Sequence, residues 1–243
     1  MSSDIVLLLW AAGAIAVMHT LVGPDHYVPF VAMSRALGWS RTKTIWITVL
    51  CGLGHVLSSV VLGTVGITLG LVVTQLESWE SYRSEIAVWF LIAFGLTYFV
   101  WGLRYAVCHH PHEHVHVHAE GVVHTHLRVH EHDHVHVHAA ASLGEESSLK
   151  RVTPWVLFTI FVFGPCEPLI PLLMYPAAQK SISGLVLVTL VFGLTTLATM
   201  TLVVLACSLG LARLATSTLE RHAHALAGAA VLFCGLAMKL LSF

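Results

Sequence analysis

Apolar residues form six long stretches along the chain, separated by short polar segments and one long polar loop. They lie at about residues 5–33, 44–74, 86–106, 152–178, 182–212 and 223–242. Each is longer than the roughly 18 residues that a membrane-spanning helix needs, and the longest exceed one straight span. We therefore expect an all-α polytopic membrane protein with six transmembrane helices, several of them tilted or broken at glycine and proline.

The composition supports a membrane protein. Apolar residues make up 56% of the 243 residues and charged residues only 10%, with a mean hydropathy of +0.81. Soluble globular proteins carry about a quarter charged residues, so the expected surroundings are a lipid bilayer. We expect no nucleic-acid partner, while the sequence leaves a homo-oligomer open.

Basic residues are concentrated in the loops after the first, third and fifth stretches. Nine lie there, and only three lie on the opposite side, namely Arg83, Lys180 and Lys239. Cytoplasmic loops of membrane proteins carry the excess of lysine and arginine. This distribution predicts a protein of the cytoplasmic (inner) membrane with both termini outside. The loop between the third and fourth stretches is then cytoplasmic.

The two halves of the chain resemble each other. The motif Gly-Pro-Asp-His at residues 23–26 recurs as Gly-Pro-Cys-Glu at residues 164–167, an offset of 141 residues, and the same offset sets His55 opposite Thr196. Each half holds an odd number of stretches, so the second half must enter the membrane in the opposite orientation. We predict a first three-helix repeat at 1–107, a histidine-rich loop at 108–150 and a second, inverted three-helix repeat at 151–243.

Both motifs place a glycine-proline pair inside an apolar stretch. Proline lacks a backbone N–H and frees the carbonyl four residues earlier, which a membrane tolerates only where those groups line a cavity or are buried in protein. Matching interruptions in two repeats are typical of a substrate site near the middle of the bilayer. The alternative is that the pairs only kink two packed helices. The predicted helix breaks are Gly23, Pro24, Gly164 and Pro165.

Ionisable and metal-binding side chains gather near these breaks. An ionisable residue at the centre of a membrane helix costs about 2.5–3.5 kcal/mol on insertion and by default marks function. Imidazole, carboxylate and thiolate groups are ligands of nickel, cobalt and zinc. A histidine can instead bond to a neighbouring helix, and a buried cysteine can be a small apolar residue. The candidate metal ligands are His19, Asp25, His26, His55, Cys166 and Glu167.

The loop between the third and fourth stretches carries 13 of the 18 histidines. They fall mostly on even positions with valines on odd ones, a period of two that is typical of a β-strand. The similar runs at 112–118 and 132–138, with a turn region at 120–121, favour a β-hairpin whose neighbouring imidazoles share metal ions. The alternative is an unfolded tether that binds metal all the same. The predicted metal-capture residues are His109, His110, His112, His114, His116, His118, His124, His126, His130, His132, His134, His136 and His138.

The sequence around the first break resembles a transporter family. Residues 19–26, HTLVGPDH, resemble the signature of NicO/NiCoT nickel and cobalt transporters, in which a membrane histidine precedes an Asp-His pair. Gly54 and His55 are similar to the Gly-His element in the next helix of that family. Six spans with a histidine-rich cytoplasmic loop resemble its RcnA-type exporters. The resemblance implies that four membrane residues take part in metal recognition, namely His19, Asp25, His26 and His55.

One feature departs from the importers of that family, and another resembles a distantly related family. Five residues separate His19 from Asp25, one more than the importers usually show. The Pro-Cys pair at 165–166 resembles the motif of CcdA/DsbD membrane thiol reductants, which are distant relatives in the LysE superfamily. Those proteins carry a redox cysteine in each repeat, whereas Asp25 stands at that position in the first repeat here.

We therefore expect a secondary transporter, not an enzyme, that moves a divalent transition-metal ion. Nickel or cobalt is expected first, with zinc and iron as alternatives, and no organic cofactor. The sequence contains no GxxxxGK[ST] loop for ATP. The cytoplasmic loop favours efflux, since local chelation raises the encounter frequency on the loading side. Three other functions stay open: a TauE-type sulfite or organic-anion exporter, a CcdA-like thiol-disulfide electron conduit, and metal sensing without transport.

Overall fold

The computed structural model describes residues 3–71, 73–108, 112–117, 123–128, 141–164, 166, 168–212 and 222–241. Over these residues the chain is mainly helical. In chain order the elements are α1 (Ser3–Val22), a 3-10 turn (Pro24–His26), α2 (Val28–Ala36), α3 (Arg41–Thr68), α4 (Val73–Cys108), β1 (His112–Val117), β2 (Val123–Arg128), α5 (Ala141–Phe163), α6 (Leu169–Ala178), α7 (Ile182–Ala212) and α8 (Ala223–Leu241).

Five of the described helices are long and apolar enough to cross a membrane. Their outward side chains include large apolar groups such as Trp10, Trp46 and Leu240, as contact with lipid requires. The prediction of a helical multi-pass membrane protein is confirmed in this respect. The five segments are Asp4–Val22, Arg41–Thr68, Thr74–Val107, Ile182–Leu211 and Ala223–Leu240.

The fourth predicted span, 152–178, is not one helix. It consists of two shorter apolar segments, Arg151–Phe163 and Leu169–Ala178, which are separated at the second glycine-proline pair. The first stretch is divided in the same way, because α1 ends at Val22 and α2 begins at Val28. Both stretches are therefore interrupted where the sequence predicts a break.

Helix α4 begins earlier than the hydropathy pattern indicates. The hydropathy pattern predicts a third stretch from residue 86, but the helix starts at Val73, so Arg83 lies within α4 and not in a loop. Charged residues end an apolar stretch without ending a helix, because Glu80 and Arg83 pair across one helical turn. Helix α5 likewise begins at Ala141, within the region assigned to the loop.

The helix boundaries repeat along the chain. The ends of α1 and α5, Val22 and Phe163, are 141 residues apart, and so are the starts of α2 and α6, Val28 and Leu169. The starts of α3 and α7 share this spacing too. The spacing is the one that relates the two glycine-proline motifs, so similar sequence and similar local structure recur together.

Helices α4 and α8 pack closely in antiparallel directions. A Cβ atom on Gly95 would lie 2.4 Å from the backbone nitrogen of Leu232, and one on Gly228 would lie 2.3 Å from that of Phe99. Only a residue without a side chain permits so close an approach of two backbones. The contact fixes α8 against the helix that carries the buried charges described below.

Two apolar clusters enclose the breaks. The first includes residues of α2, α3, α4, α5, α7 and α8, and in it the rings of Phe30 and Phe161 lie 4.7 Å apart. The second lies among α1, α3, α6 and α7 and includes Phe192 and Cys166. The second break is therefore buried in protein, which satisfies the condition for irregular backbone at this depth.

Part of the histidine-rich loop forms an antiparallel strand pair. Strands β1 and β2 place His116 opposite His124, with the predicted turn region 120–121 between them. That turn region and the second histidine run, 132–138, lie outside the described residues. The prediction about the whole loop therefore stays a prediction.

Candidate metal centre

Three of the predicted ligands come together at the first break. His19 lies in the last turn of α1, His26 ends the 3-10 turn after it, and His55 lies in α3. One ligand nitrogen from each ring lies within 4.8 Å of the other two. The Nε2 atoms of His26 and His55 are 3.4 Å apart. His26 and His55 are almost completely buried, and His19 is partly buried.

The local sequence explains how His26 reaches this position. The residue before a proline is disfavoured in helical geometry, and Gly23 is accordingly extended, with φ −81° and ψ 100°. Its carbonyl oxygen accepts a hydrogen bond from the backbone N–H of His26 at 3.1 Å, which closes the turn. A Cβ atom on Gly23 would lie only 2.6 Å from Nδ1 of His26, so glycine is needed for the ring to fold back.

Asp25 acts on His26 from behind the cluster. Its Oδ1 atom lies 3.1 Å from Nδ1 of His26, and the carbonyl oxygen of Gly23 lies 3.1 Å from the same nitrogen. Both oxygens are acceptors, so in the neutral ring Nδ1 carries the proton and Nε2 offers its lone pair towards His55. A carboxylate in this position fixes the tautomer and orientation of a ligand histidine.

His55 has unused bonding capacity. Its Nδ1 atom is buried and has no hydrogen-bond partner among the described residues. A cavity of about 20 Å³ borders the ring and is lined also by Asp25 and Gly164. This volume is enough for one particle of about the size of a water molecule. The buried ring is thus placed to bind a small ligand.

Cys166 brings the second break to the same cluster. Its side chain is completely buried, and its Sγ atom lies 3.9 Å from Nε2 of His19. The backbone N–H of Cys166 donates to Oγ of Ser59 at 3.1 Å, one helical turn beyond His55 on α3. The two breaks, far apart in the chain, therefore meet beside the three imidazoles.

Among the predicted metal ligands and helix breaks, Glu167 and Pro165 lie outside the described residues. So do eight of the predicted metal-capture histidines, namely His109, His110, His118, His130, His132, His134, His136 and His138. The participation of Glu167 stays a prediction. Thr196, which the repeat sets opposite His55, is fully buried on α7, and its hydroxyl has no hydrogen-bond partner among the described residues. The second half thus offers a hydroxyl where the first half offers an imidazole.

A buried charged pair was missed by the sequence reasoning. Glu80 is 1% exposed and Arg83 is 17% exposed, and Nε of Arg83 lies 3.3 Å from Oε2 of Glu80. The available signal was the Glu-x-x-Arg spacing, which pairs side chains along a helix face. Reading by hydropathy assigned these charges to a loop, whereas the structure buries them close to the second break.

Two larger cavities approach the helices from opposite ends of α8. One, of about 630 Å³, is lined by three glutamates of α4 and shares Ser84, Val88 and Met238 with the small cavity at His55. The other, of about 810 Å³, is lined by Arg35 and Arg41 and reaches the first residues of α8. The acidic cavity is thus separated from the histidine cluster by only a few shared side chains.

The arrangement suits a partly dehydrated cation that prefers nitrogen and sulfur ligands. Three imidazoles face one another, a carboxylate supports one of them, and a thiol lies at the edge. No protein-family model, curated protein or solved structure matches the chain. The site itself therefore carries the functional proposal.

Proposed function

We propose that this chain is a secondary transporter of a divalent transition-metal ion, nickel or cobalt first, across the cytoplasmic membrane. The observation that supports this proposal is the cluster of His19, His26 and His55, whose ligand nitrogens lie within 4.8 Å of one another. Neutral imidazoles in an apolar protein interior are costly unless their nitrogens are bonded. A single metal ion would bond all three at once.

The spacing within the cluster suits one ion. Two nitrogens bound to the same tetrahedral metal ion at about 2.05 Å lie about 3.3 Å apart. The Nε2 atoms of His26 and His55 are 3.4 Å apart, so both can bind one ion with little movement. Imidazole ligands favour cobalt, nickel and zinc, whereas magnesium and calcium prefer oxygen.

Transport requires access to the cluster from both sides of the membrane. In this proposal the two breaks are equivalent points of two inverted three-helix repeats, which rock around the cluster. The acidic and basic cavities, at opposite ends of α8, supply the two access routes. An ion gradient, or the gradient of the metal itself, drives the movement.

The histidine-rich loop loads the transporter in this proposal. The positive-inside rule assigns the loop to the cytoplasm, where chelation raises the local metal concentration. The strand pair β1–β2, which sets His116 opposite His124, supports a hairpin form of the loop. Loading from the cytoplasm favours efflux over uptake.

Metal flux in proteoliposomes tests the proposal. The full-length protein is reconstituted with a trapped metal-sensitive dye, and cobalt or nickel is added outside. We expect flux in the wild type and none in His55→Ala or in the double variant Asp25→Ala with His26→Ala. His222→Ala, a histidine outside the cluster, is the matched control and should keep its flux.

The loop and the alternatives are tested in the same vesicles. Deletion of residues 109–138 should change the apparent affinity for metal and leave the flux measurable. Flux that survives both cluster variants would remove the proposed site. Metal-independent sulfite or organic-anion flux, or electron transfer that Cys166→Ser abolishes, would point to the other functions named above.

A further inference from the structure

One buried hydroxyl connects the second break to helices α3 and α4. Ser59 donates to Oε1 of Glu80 at 2.6 Å, and it accepts from the backbone N–H of Cys166 at 3.1 Å and from Nη2 of Arg83 at 2.9 Å. A hydroxyl offers one donor and two acceptor sites, so all three are used. Because Cys166 N–H and Arg83 can only donate, the direction of each bond is fixed.

Arg83 also bonds to the break directly. Its Nη2 atom donates to the carbonyl oxygen of Gly164 at 2.9 Å. A continued helix would supply that carbonyl with the N–H of the fourth residue onward, but Pro168 has none. The guanidinium group therefore replaces the missing backbone donor, and Glu80 balances its charge.

Cys166 is consequently held by both of its backbone groups. Its N–H is bonded to Ser59, and its carbonyl accepts from the N–H of Leu169 at 2.9 Å as α6 begins. This fixed backbone places the buried thiol beside His19, with Sγ 3.9 Å from Nε2. The ligand atoms that lie within 4.8 Å of one another are those of the three imidazoles and not this sulfur, so a shared ion would draw the thiol inward. A buried ion pair is expensive in a membrane and adds little net stability, so its presence here calls for a role.

We propose that Ser59 and Arg83 are positioning residues that hold the Cys166 thiol as the fourth ligand of the three-histidine site. This inference rests on the proposed function and adds the group that sets the metal preference. The thiol proton is released as the metal binds. Three imidazoles and one thiolate make a tetrahedral set that cobalt and zinc accept and that manganese and magnesium disfavour.

Cobalt absorption tests the proposal on the full chain in detergent. A thiolate ligand produces a sulfur-to-cobalt charge-transfer band in the near ultraviolet, which histidine ligands, including those of the loop, do not produce. The wild type should show a band that Cys166→Ser removes. Ser59→Ala and Arg83→Gln should lose most of that band, or should require about 10- to 100-fold more cobalt to reach it. Ser59→Thr keeps the hydroxyl and should retain the band.

A matched control comes from the same helix. Ser78→Ala, which matches Ser59→Ala, removes an exposed hydroxyl that donates to the carbonyl oxygen of Thr74 within α4, and it should leave the band unchanged. If the variants of Ser59 and Arg83 fail to fold, the double variant Glu80→Gln with Arg83→Gln replaces them, because it removes both charges of the buried Glu80–Arg83 pair. It should fold and still lose the band.

The outcomes separate this inference from the proposed function. A band of wild-type intensity in Ser59→Ala and in the arginine variants would overturn the positioning roles. A wild-type spectrum with no band that depends on Cys166 would overturn the thiol ligand and leave the histidine site standing. Cobalt flux that persists in His55→Ala would instead overturn the proposed function itself.

Discussion

The two helix breaks satisfy their freed backbone groups in different ways. At the first break the partners are local, since the carbonyl of Gly23 accepts from both the backbone and the ring of His26. At the second break the carbonyl of Cys166 has a local partner in the N–H of Leu169, but the N–H of Cys166 and the carbonyl of Gly164 are bonded by other helices, through Ser59 on α3 and Arg83 on α4. The same glycine-proline interruption is therefore self-supporting in one half of the chain and supported from outside in the other.

This difference has a consequence for the cluster. The ring of His26 is oriented by its own turn and by Asp25, so its position does not depend on distant helices. The thiol of Cys166 is oriented through hydrogen bonds to α3 and α4, so its position follows those helices. In the proposed transporter, the first break provides constant ligands and the second provides one that depends on the conformation.

Replacement of Arg83 should have the largest effect, because it removes support from the second break and leaves the first break unchanged. Arg83→Met leaves Glu80 buried without its counter-ion and the carbonyl of Gly164 without its donor. Loss of one partner from a buried ion pair costs about 3–5 kcal/mol, and we expect this decrease in the free energy of unfolding. Unfolding by denaturant in detergent micelles measures it.

The double variant Glu80→Gln with Arg83→Met is the control for that measurement. It removes both charges, so it should recover most of the lost stability. An unfolding free energy that Arg83→Met leaves unchanged would mean that the second break supports itself as the first does.

The sequence predicts the first break better than the second. Gly-Pro followed by Asp-His contains its own partners, so reading residues 19–26 is enough to expect an interrupted helix with ligands at its end. The partners of the second break lie far away in the chain, on α3 and α4. A hydropathy window excludes charged residues from a predicted span, so it places Arg83 in a loop. It therefore cannot predict that Arg83 bonds to the carbonyl of Gly164 at the second break.

The same contrast holds for the site. His19, His26 and His55 could be named from the cost of placing ionisable groups in apolar stretches. Their convergence, and the place of Cys166 beside His19, depend on how α1, α3 and α5 pack, which no local pattern contains. Asp25 could be named as a candidate ligand, but only the fold shows that it supports His26.

Removing the charge of Asp25 at the first break should weaken metal binding without lowering the stability of the fold. Asp25→Asn keeps a hydrogen-bond acceptor for His26 but removes the negative charge, which weakens the ligand. Loss of such a supporting carboxylate typically costs about 10- to 100-fold in metal affinity. The half-saturating metal concentration for flux in proteoliposomes should rise by this factor, with the free energy of unfolding nearly unchanged.

Asp4→Asn, at the exposed start of α1, serves as the matched loss of a carboxylate outside the cluster and the described cavities, and should leave half-saturation unaltered. Should Asp25→Asn lower stability as strongly as Arg83→Met, the distinction between a ligand-supporting break and a helix-supported one would fail.

The smallest effect is expected at Thr196, the repeat counterpart of His55. Its side chain is fully buried, and its hydroxyl has no hydrogen-bond partner among the described residues. An unsatisfied buried hydroxyl costs about 1–3 kcal/mol, so Thr196→Val, which keeps the shape, should leave half-saturation within about twofold and raise stability slightly. Proteoliposome flux and denaturant unfolding measure both quantities. A tenfold loss of metal affinity would instead mean that the hydroxyl of Thr196 contacts the metal in another conformation of the transporter. The difference between the two breaks would then hold for only one conformation of the transport cycle.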